Sequence, residues 1–184
     1  MPLYYERTYY LSSFASPAQV VGVMSVGLLA GYDIALSYGA LPSLLISGLP
    51  TYRLVVAWDN LHTKSEKFSR PIIIASLLAF IRATFRASTL PGIAYTPFGL
   101  SRRTQLALAS ISILAVWPLK LYSFDPLVWR LRGARTEVEE GMNINEVVTL
   151  DDHGVQEDVR LFGKRTALKA GIFVTAFFLG VTAC

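Results

Sequence analysis

Apolar residues gather in four blocks along the chain, at 18–49, 72–85, 104–121 and 166–184. The first is broken by a single charge, Asp33, and the second has a less apolar extension back to Tyr52. A helix that crosses a bilayer needs about 20 mostly apolar residues, with a range of roughly 17–25. The third and fourth blocks, at 18 and 19 residues, meet that length. The first meets it only if the helix continues through Asp33. The second meets it only if it starts before Pro71 or keeps Arg82 inside. The pattern predicts an all-α integral membrane protein, a four-helix up-down bundle forming one domain over residues 1–184. The spans fall at about 18–48, 54–87, 104–124 and 162–184, with a hydrophilic loop at 130–160.

The segments between the blocks differ in character. Glu6 and Arg7 give the N-terminus no basic bias, and the first block stays apolar past any plausible cleavage point, so it reads as a retained helix. Leu49-Pro50 breaks the chain before Thr51. Residues 53–70 carry Trp58, Asp59, His62, Lys64, Glu66, Lys67 and Arg70 and read as an amphipathic helix. Residues 88–103 hold Pro91, Gly92, Pro97 and Gly99 and read as a turn-rich loop. Residues 130–165 hold eight of the thirteen acidic residues, and 147–150 followed by Asp151-Asp152-His153-Gly154 reads as a short strand and turn, with His153 a turn residue. Lysine and arginine are unevenly shared. Ten lie in 50–70 and 130–165, against five in the N-terminus and around the 88–103 loop, which places the former loops in the cytoplasm.

Composition sharpens this picture. Of 184 residues, 53% are hydrophobic and only 16% charged, and mean hydropathy is +0.44. Soluble domains carry roughly 25% charged residues. Disorder, a coiled coil and a disulfide-stapled module are excluded. The one cysteine, Cys184, has no internal partner, no C-a-a-X pattern surrounds it, and no Cys/His cluster has zinc spacing. The net charge of +4 reads as headgroup and topology charge, so no nucleic-acid partner is expected. There is no GxGxxG, P-loop, GxSxG or HExxH, and no metal or bound cofactor is expected.

Candidate chemistry lies where charge interrupts the apolar blocks. Asp33 continues a helical stripe with Gly22, Ser25, Leu29 and Ser37, and a carboxylate at bilayer depth faces the bundle or a wet cavity. Its plain role is to pair with Arg82 or Lys169. Gly27-x-x-x-Gly31 offers a close-contact face for another helix or a second copy of the chain. Trp58 and His62 are i, i+4 neighbours and share a helix face. A Trp wall beside an imidazole suits an aromatic ligand that must lose a proton; the plain alternative is an interfacial Trp beside a solvated His. Arg82 and Arg86 read as snorkelling side chains. Trp117, Pro118, Lys120, Tyr122 and Asp125 crowd the end of the third block, where Pro118 frees carbonyls and Lys120 and Tyr122 can stabilise an oxyanion. Lys169 either snorkels or points inward.

In order and spacing these features resemble the fungal anthrone oxygenases, small four-helix membrane proteins of polyketide pathways, and their bacterial relatives. The matching pieces span about 18–183. They are Gly31, Ala35, Ser37 and Leu41-Pro42; Trp58, Leu61-His62 and Pro71; Trp117-Pro118 with the polar turn 123–129; and Leu161-Phe162-Gly163-Lys164-Arg165 with Lys169 and Gly171. The chain departs from the family at Phe124-Asp125-Pro126, at Thr166 and at Lys169. The resemblance implies a cofactor-free oxygenase in an endomembrane such as the endoplasmic reticulum, oxidising an anthrone-type polycyclic aromatic to a quinone with dioxygen. It implies His62 as base and Asp33 as its orienting or relay group. Lys169 and Tyr122 become anion stabilisers, and Trp58 and Trp117 the walls of a substrate site that also includes Lys120, Asp125 and Arg82. Cyclisation or isomerisation of another aromatic, a non-enzymatic scaffold using 130–165, and a small transporter are the competing readings.

Overall fold

The structure, a computed structural model, describes residues 16–87, 99–144 and 152–183, and every element in it is helical. α1 is Pro17–Ala35, continued by a π-helical turn at Leu36–Ala40 and by α2, Leu41–Ile46. α3 is Thr51–Arg86 and α4 is Arg102–Leu114. α5, Val116–Leu119, leads through a second π-helical turn, Lys120–Phe124, into α6, Asp125–Ile144. α7 is Asp152–Thr182. Four helical stretches are long and apolar enough to cross a membrane: Pro17–Ile46, Thr51–Arg86, Arg102–Glu140 and His153–Thr182. The chain is an all-α integral membrane protein with four such helices.

Prolines explain the irregular turns. A proline lacks the N–H that would bond the carbonyl four residues back, and its ring crowds that carbonyl. Each π turn ends two residues before a proline, Pro42 or Pro126, and the widened turn is closed by Leu41 N–H on the Leu36 carbonyl and by Asp125 N–H on the Lys120 carbonyl. Such bulges keep a helix continuous at a local change of register. Pro71 sits inside α3, which runs through it as one helix. Gly48, at φ 63°, ends α2 in the left-handed region that glycine tolerates best.

The hydrophilic segment differs from its expected loop. Residues 125–144 and 152–161 are helical. Leu127, Val128, Leu131 and Val138 are buried, as are Val155, Val159 and Phe162. Both sets follow helical spacing, so an apolar stripe is hidden among charges. Asp152, His153 and Gly154 open α7 in place of the expected turn; residues 147–150, like Cys184 and residues 88–98, lie outside the described residues.

The chain divides into two compact units. Among the described residues, unit 1 comprises 16–30, 71–87, 99–115 and 172–183. Within it, fully buried Phe80 rests against two glycines. A Cβ at Gly22 would stand 3.2 Å from the Phe80 ring, and one at Gly180 only 2.8 Å from both that ring and Val23. Gly27 is similarly taken, since its Cβ position lies 3.1 Å from the Phe177 ring, whereas a Cβ at Gly31 meets nothing. Buried Gln19 adds a polar tie: its Nε2 donates to the Gly180 carbonyl at 2.9 Å, and Arg102 Nη2 donates to its Oε1 at 2.7 Å. Gly180→Val is expected to destabilise the protein by about 1–3 kcal/mol through overpacking against Phe80. Gly31→Ala is expected to leave stability unchanged or raised. Thermal unfolding of both variants in detergent checks this.

Among the described residues, unit 2 comprises 31–70, 116–144 and 152–171. Its core gathers Leu41, Leu54, Val55, Trp58, Phe124, Leu127, Val128, Leu131, Val155, Val159 and Phe162. All the charged side chains of interest below belong to this unit.

Candidate active site

Helical repeats bring three stripes together in unit 2. On α1, Asp33 and Ser37 are one turn apart, and Leu41 follows; Ser37 Oγ donates back to the Asp33 carbonyl at 2.7 Å. On α3, Trp58, His62 and Glu66 follow at i, i+4 and i+8. On α7, Phe162, Thr166 and Lys169 share a face, with Thr166 Oγ1 donating to the Phe162 carbonyl. Gly163 on α7 faces Leu41 and the Ser37 carbonyl, where a Cβ would stand at ordinary contact distances of 3.6 and 3.9 Å.

Four aromatic rings form the centre. The Trp58 and His62 rings are stacked, with centroids 5.3 Å apart and planes 5° from parallel. Phe162 meets both edge-on, at 5.3 and 5.4 Å, and Phe124 meets Phe162 edge-on at 5.4 Å. Edge-to-face and offset-stacked contacts at these distances suit the charge distribution of aromatic rings. Trp58 is fully buried, and its Nε1–H has no hydrogen-bond partner among the described residues. His62 is only partly buried. The shared face expected of Trp58 and His62 is thus present, and Phe162 and Phe124 complete it.

Ion pairs frame these rings. Asp59, buried beside Trp58, accepts from Arg132 Nε at 3.1 Å and from Arg135 Nη1. Glu66 meets Lys120 Nζ at 2.5 Å and Arg70 Nη2 at 2.7 Å. Arg130 and Asp158 pair at 2.8 Å across α6 and α7. Arg165 donates to the Ser123 carbonyl, inside the π turn that Pro126 follows. Asp33 is buried and paired to Lys169, whose Nζ lies 3.0 Å from Oδ2 and 3.3 Å from Oδ1. Of the two partners expected for Asp33, it takes Lys169; Arg82 is exposed on the part of α3 that belongs to unit 1.

Some expected site residues stand apart from the rings. Trp117, expected as a wall, and Tyr122, expected as an anion stabiliser, are 68% and 84% exposed. Asp125 is half-buried at the start of α6, where its backbone N–H closes the π turn on the Lys120 carbonyl. Lys120 reaches Glu66, one helical turn from His62. Asp59, Glu66, Phe124 and Phe162 join the site without a role expected of them from the sequence. The signal was there: Asp59 and Glu66 flank the Trp58–His62 pair, and Phe162 extends the stripe of Val155 and Val159. Among the described residues, no group of three or more His, Cys, Asp or Glu side chains is placed to hold a metal ion. Against known proteins, the chain matches no family model, no curated protein and no solved structure.

Proposed function

We propose that this protein is a membrane-embedded enzyme that removes a proton from a flat, apolar aromatic substrate, with His62 as the base. The stacked Trp58–His62 pair carries this reading. It sets a titratable, partly exposed imidazole against a large π surface, and the buried Trp58 Nε1–H beside it has no hydrogen-bond partner among the described residues. An anthrone-type substrate fits this chemistry. Its acidic CH₂ beside the aromatic rings loses a proton to His62, and the electron-rich anion reacts with dioxygen. One oxygen atom becomes the new quinone carbonyl, and the other leaves as water with the two CH₂ hydrogens. Binding, proton removal and anion stabilisation are all the protein supplies in this scheme. In this reading Asp33 and Lys169 act together as an ion pair, and Lys120 acts through Glu66 beside the imidazole.

The test is turnover. Purified protein in detergent is incubated with an anthrone under air, with chelator present, against empty-vector membranes. Quinone formation that falls at least about 100-fold in His62→Ala, with an unchanged melting profile, is the expected result. No turnover by the wild-type protein, or full turnover by His62→Ala, overturns the proposal. A second reading, a membrane scaffold that holds partners through α6, is favoured by the ion pairs that satisfy Asp33, Asp59, Glu66 and Asp158 and by exposed Trp129. Under that reading Trp129→Ala abolishes partner retention while His62→Ala does not.

A further inference from the structure

At one level of unit 2, cations outnumber the carboxylates that could neutralise them. The Lys120–Glu66 pair and the bond from Arg165 to the Ser123 carbonyl tie α3, the 120–124 turn and α7 together at this level. Lys64, Lys67 and Arg70 flank Glu66 on α3, all exposed, and exposed Lys164 adjoins Arg165 on α7. Six cations therefore share this level with two carboxylates, Glu66 and Asp125, and Glu66 already serves two of them. Exposed Trp117 and Tyr122 lie within a turn of Lys120.

Exposed cations interleaved with exposed Trp and Tyr are costly at hydrocarbon depth and favourable among lipid headgroups. The helix lengths agree. From Arg70 to Arg86 and from Arg103 to Lys120 are 16 and 17 residue steps. At the helical rise this is about 24–26 Å, which snorkelling side chains extend to match a hydrocarbon core of about 30 Å. Between these limits Ile74, Leu78, Leu108 and Ile111 are exposed and apolar, and the one exposed charge, Arg82, lies a single turn from Arg86, within snorkelling reach of that edge.

We infer that Lys64, Lys67, Arg70, Lys120, Lys164 and Arg165 form a collar that binds the headgroups of anionic phospholipids at one edge of the bilayer. The commitment to anionic lipid follows from charge. Four positive charges remain after Glu66 and Asp125 are counted, and a zwitterionic headgroup brings no net charge to neutralise them. The collar lies at the end of the protein that the lysine and arginine asymmetry assigns to the cytoplasm, where anionic lipids concentrate. It also sets His62, two residues from Lys64, at headgroup depth, within reach of a flat, apolar substrate leaving the bilayer.

The test uses the full chain in vesicles of phosphatidylcholine with 20–30% phosphatidylserine (about the anionic fraction that gives a measurable surface potential), with bromine on the acyl chains of one lipid or the other. Two variants separate the surface tryptophans. Trp129→Phe leaves Trp117 at the collar, and Trp117→Phe leaves Trp129, twelve residues further along the helical stretch. At matched mole fractions, brominated phosphatidylserine should quench Trp117 roughly twofold more than brominated phosphatidylcholine. Lys64→Gln/Lys67→Gln/Lys164→Gln should abolish that preference. Trp129 should resist lipid quenching and respond to aqueous iodide. Equal quenching of Trp117 by the two lipids in the chain with an intact collar overturns the lipid preference, whether or not the triple variant folds. Lipid quenching of Trp129 as strong as that of Trp117 overturns the placement of the bilayer edge.

Discussion

Lys169→Met is expected to destabilise the protein by about 3–5 kcal/mol, the usual cost of leaving a buried charge without its partner. Asp33 is 1% exposed at its side chain and Lys169 only 15%, so neither group has water to fall back on once the other is removed. The helix around Asp33 is otherwise apolar, and lipid offers still less than water. Ser37 gives no rescue, since its hydroxyl is committed to backbone carbonyls at Asp33 and Ile34. The double variant Asp33→Leu/Lys169→Met removes both charges and replaces them with apolar side chains. It should recover most of the loss, because a buried ion pair is often no better than well-packed apolar residues of similar volume. Unfolding of the wild type, both single variants and the double variant in detergent gives the coupling energy. Single and double variants of equal stability would show that the two groups do not hold each other. Turnover measured on the stable double variant then separates a structural pair from one that also steadies an anion.

The parts of this protein that were legible in the sequence are those written in hydropathy. Four apolar blocks gave four membrane-competent helices, and Asp33 and Lys169, the charges least at home in them, were found paired. The i, i+4 spacing of Trp58 and His62 placed both on one face, and they stack. What stayed hidden was written in periodicity. Residues 130–144 and 152–161 are too charged to register as apolar, yet Leu131, Val138, Val155 and Val159 recur at helical intervals and are buried. The partners of Asp59 were hidden for another reason. Arg132 and Arg135 lie more than seventy positions away, and no local spacing links them to α3. Trp117 and Tyr122, for which the resemblance implies a wall and an anion stabiliser, are both turned outward, the usual place of an aromatic belt.

Asp59→Ala should cost about 2–4 kcal/mol, since it removes two charge-assisted hydrogen bonds worth roughly 1.5–3 kcal/mol each, less what the freed arginines regain from solvent. Asp59 is buried, whereas Arg132 and Arg135 are 50% and 34% exposed at their side chains. That asymmetry predicts non-additive behaviour. Arg132→Gln alone leaves Asp59 paired with Arg135, and Arg135→Gln leaves it paired with Arg132, so each single change should cost well under about 1.5 kcal/mol. Arg132→Gln/Arg135→Gln strands a buried carboxylate and should cost at least as much as Asp59→Ala, more than the sum of its parts. The consequence reaches the aromatic centre. Asp59 is the chain neighbour of Trp58, and its arginines hold α6, which supplies Leu127, Val128 and Leu131 to the core around Trp58. Loosening that tie should therefore lower anthrone turnover in Asp59→Ala by raising KM more than it lowers kcat, because the wall is displaced while the base is untouched. Thermal unfolding of the four variants, followed by steady-state turnover on those that stay folded, checks both statements. An Arg132→Gln/Arg135→Gln protein as stable as either single variant would show that Asp59 does not depend on these arginines. A fall in kcat alone would place Asp59 in the chemistry of His62 instead of in the support of Trp58.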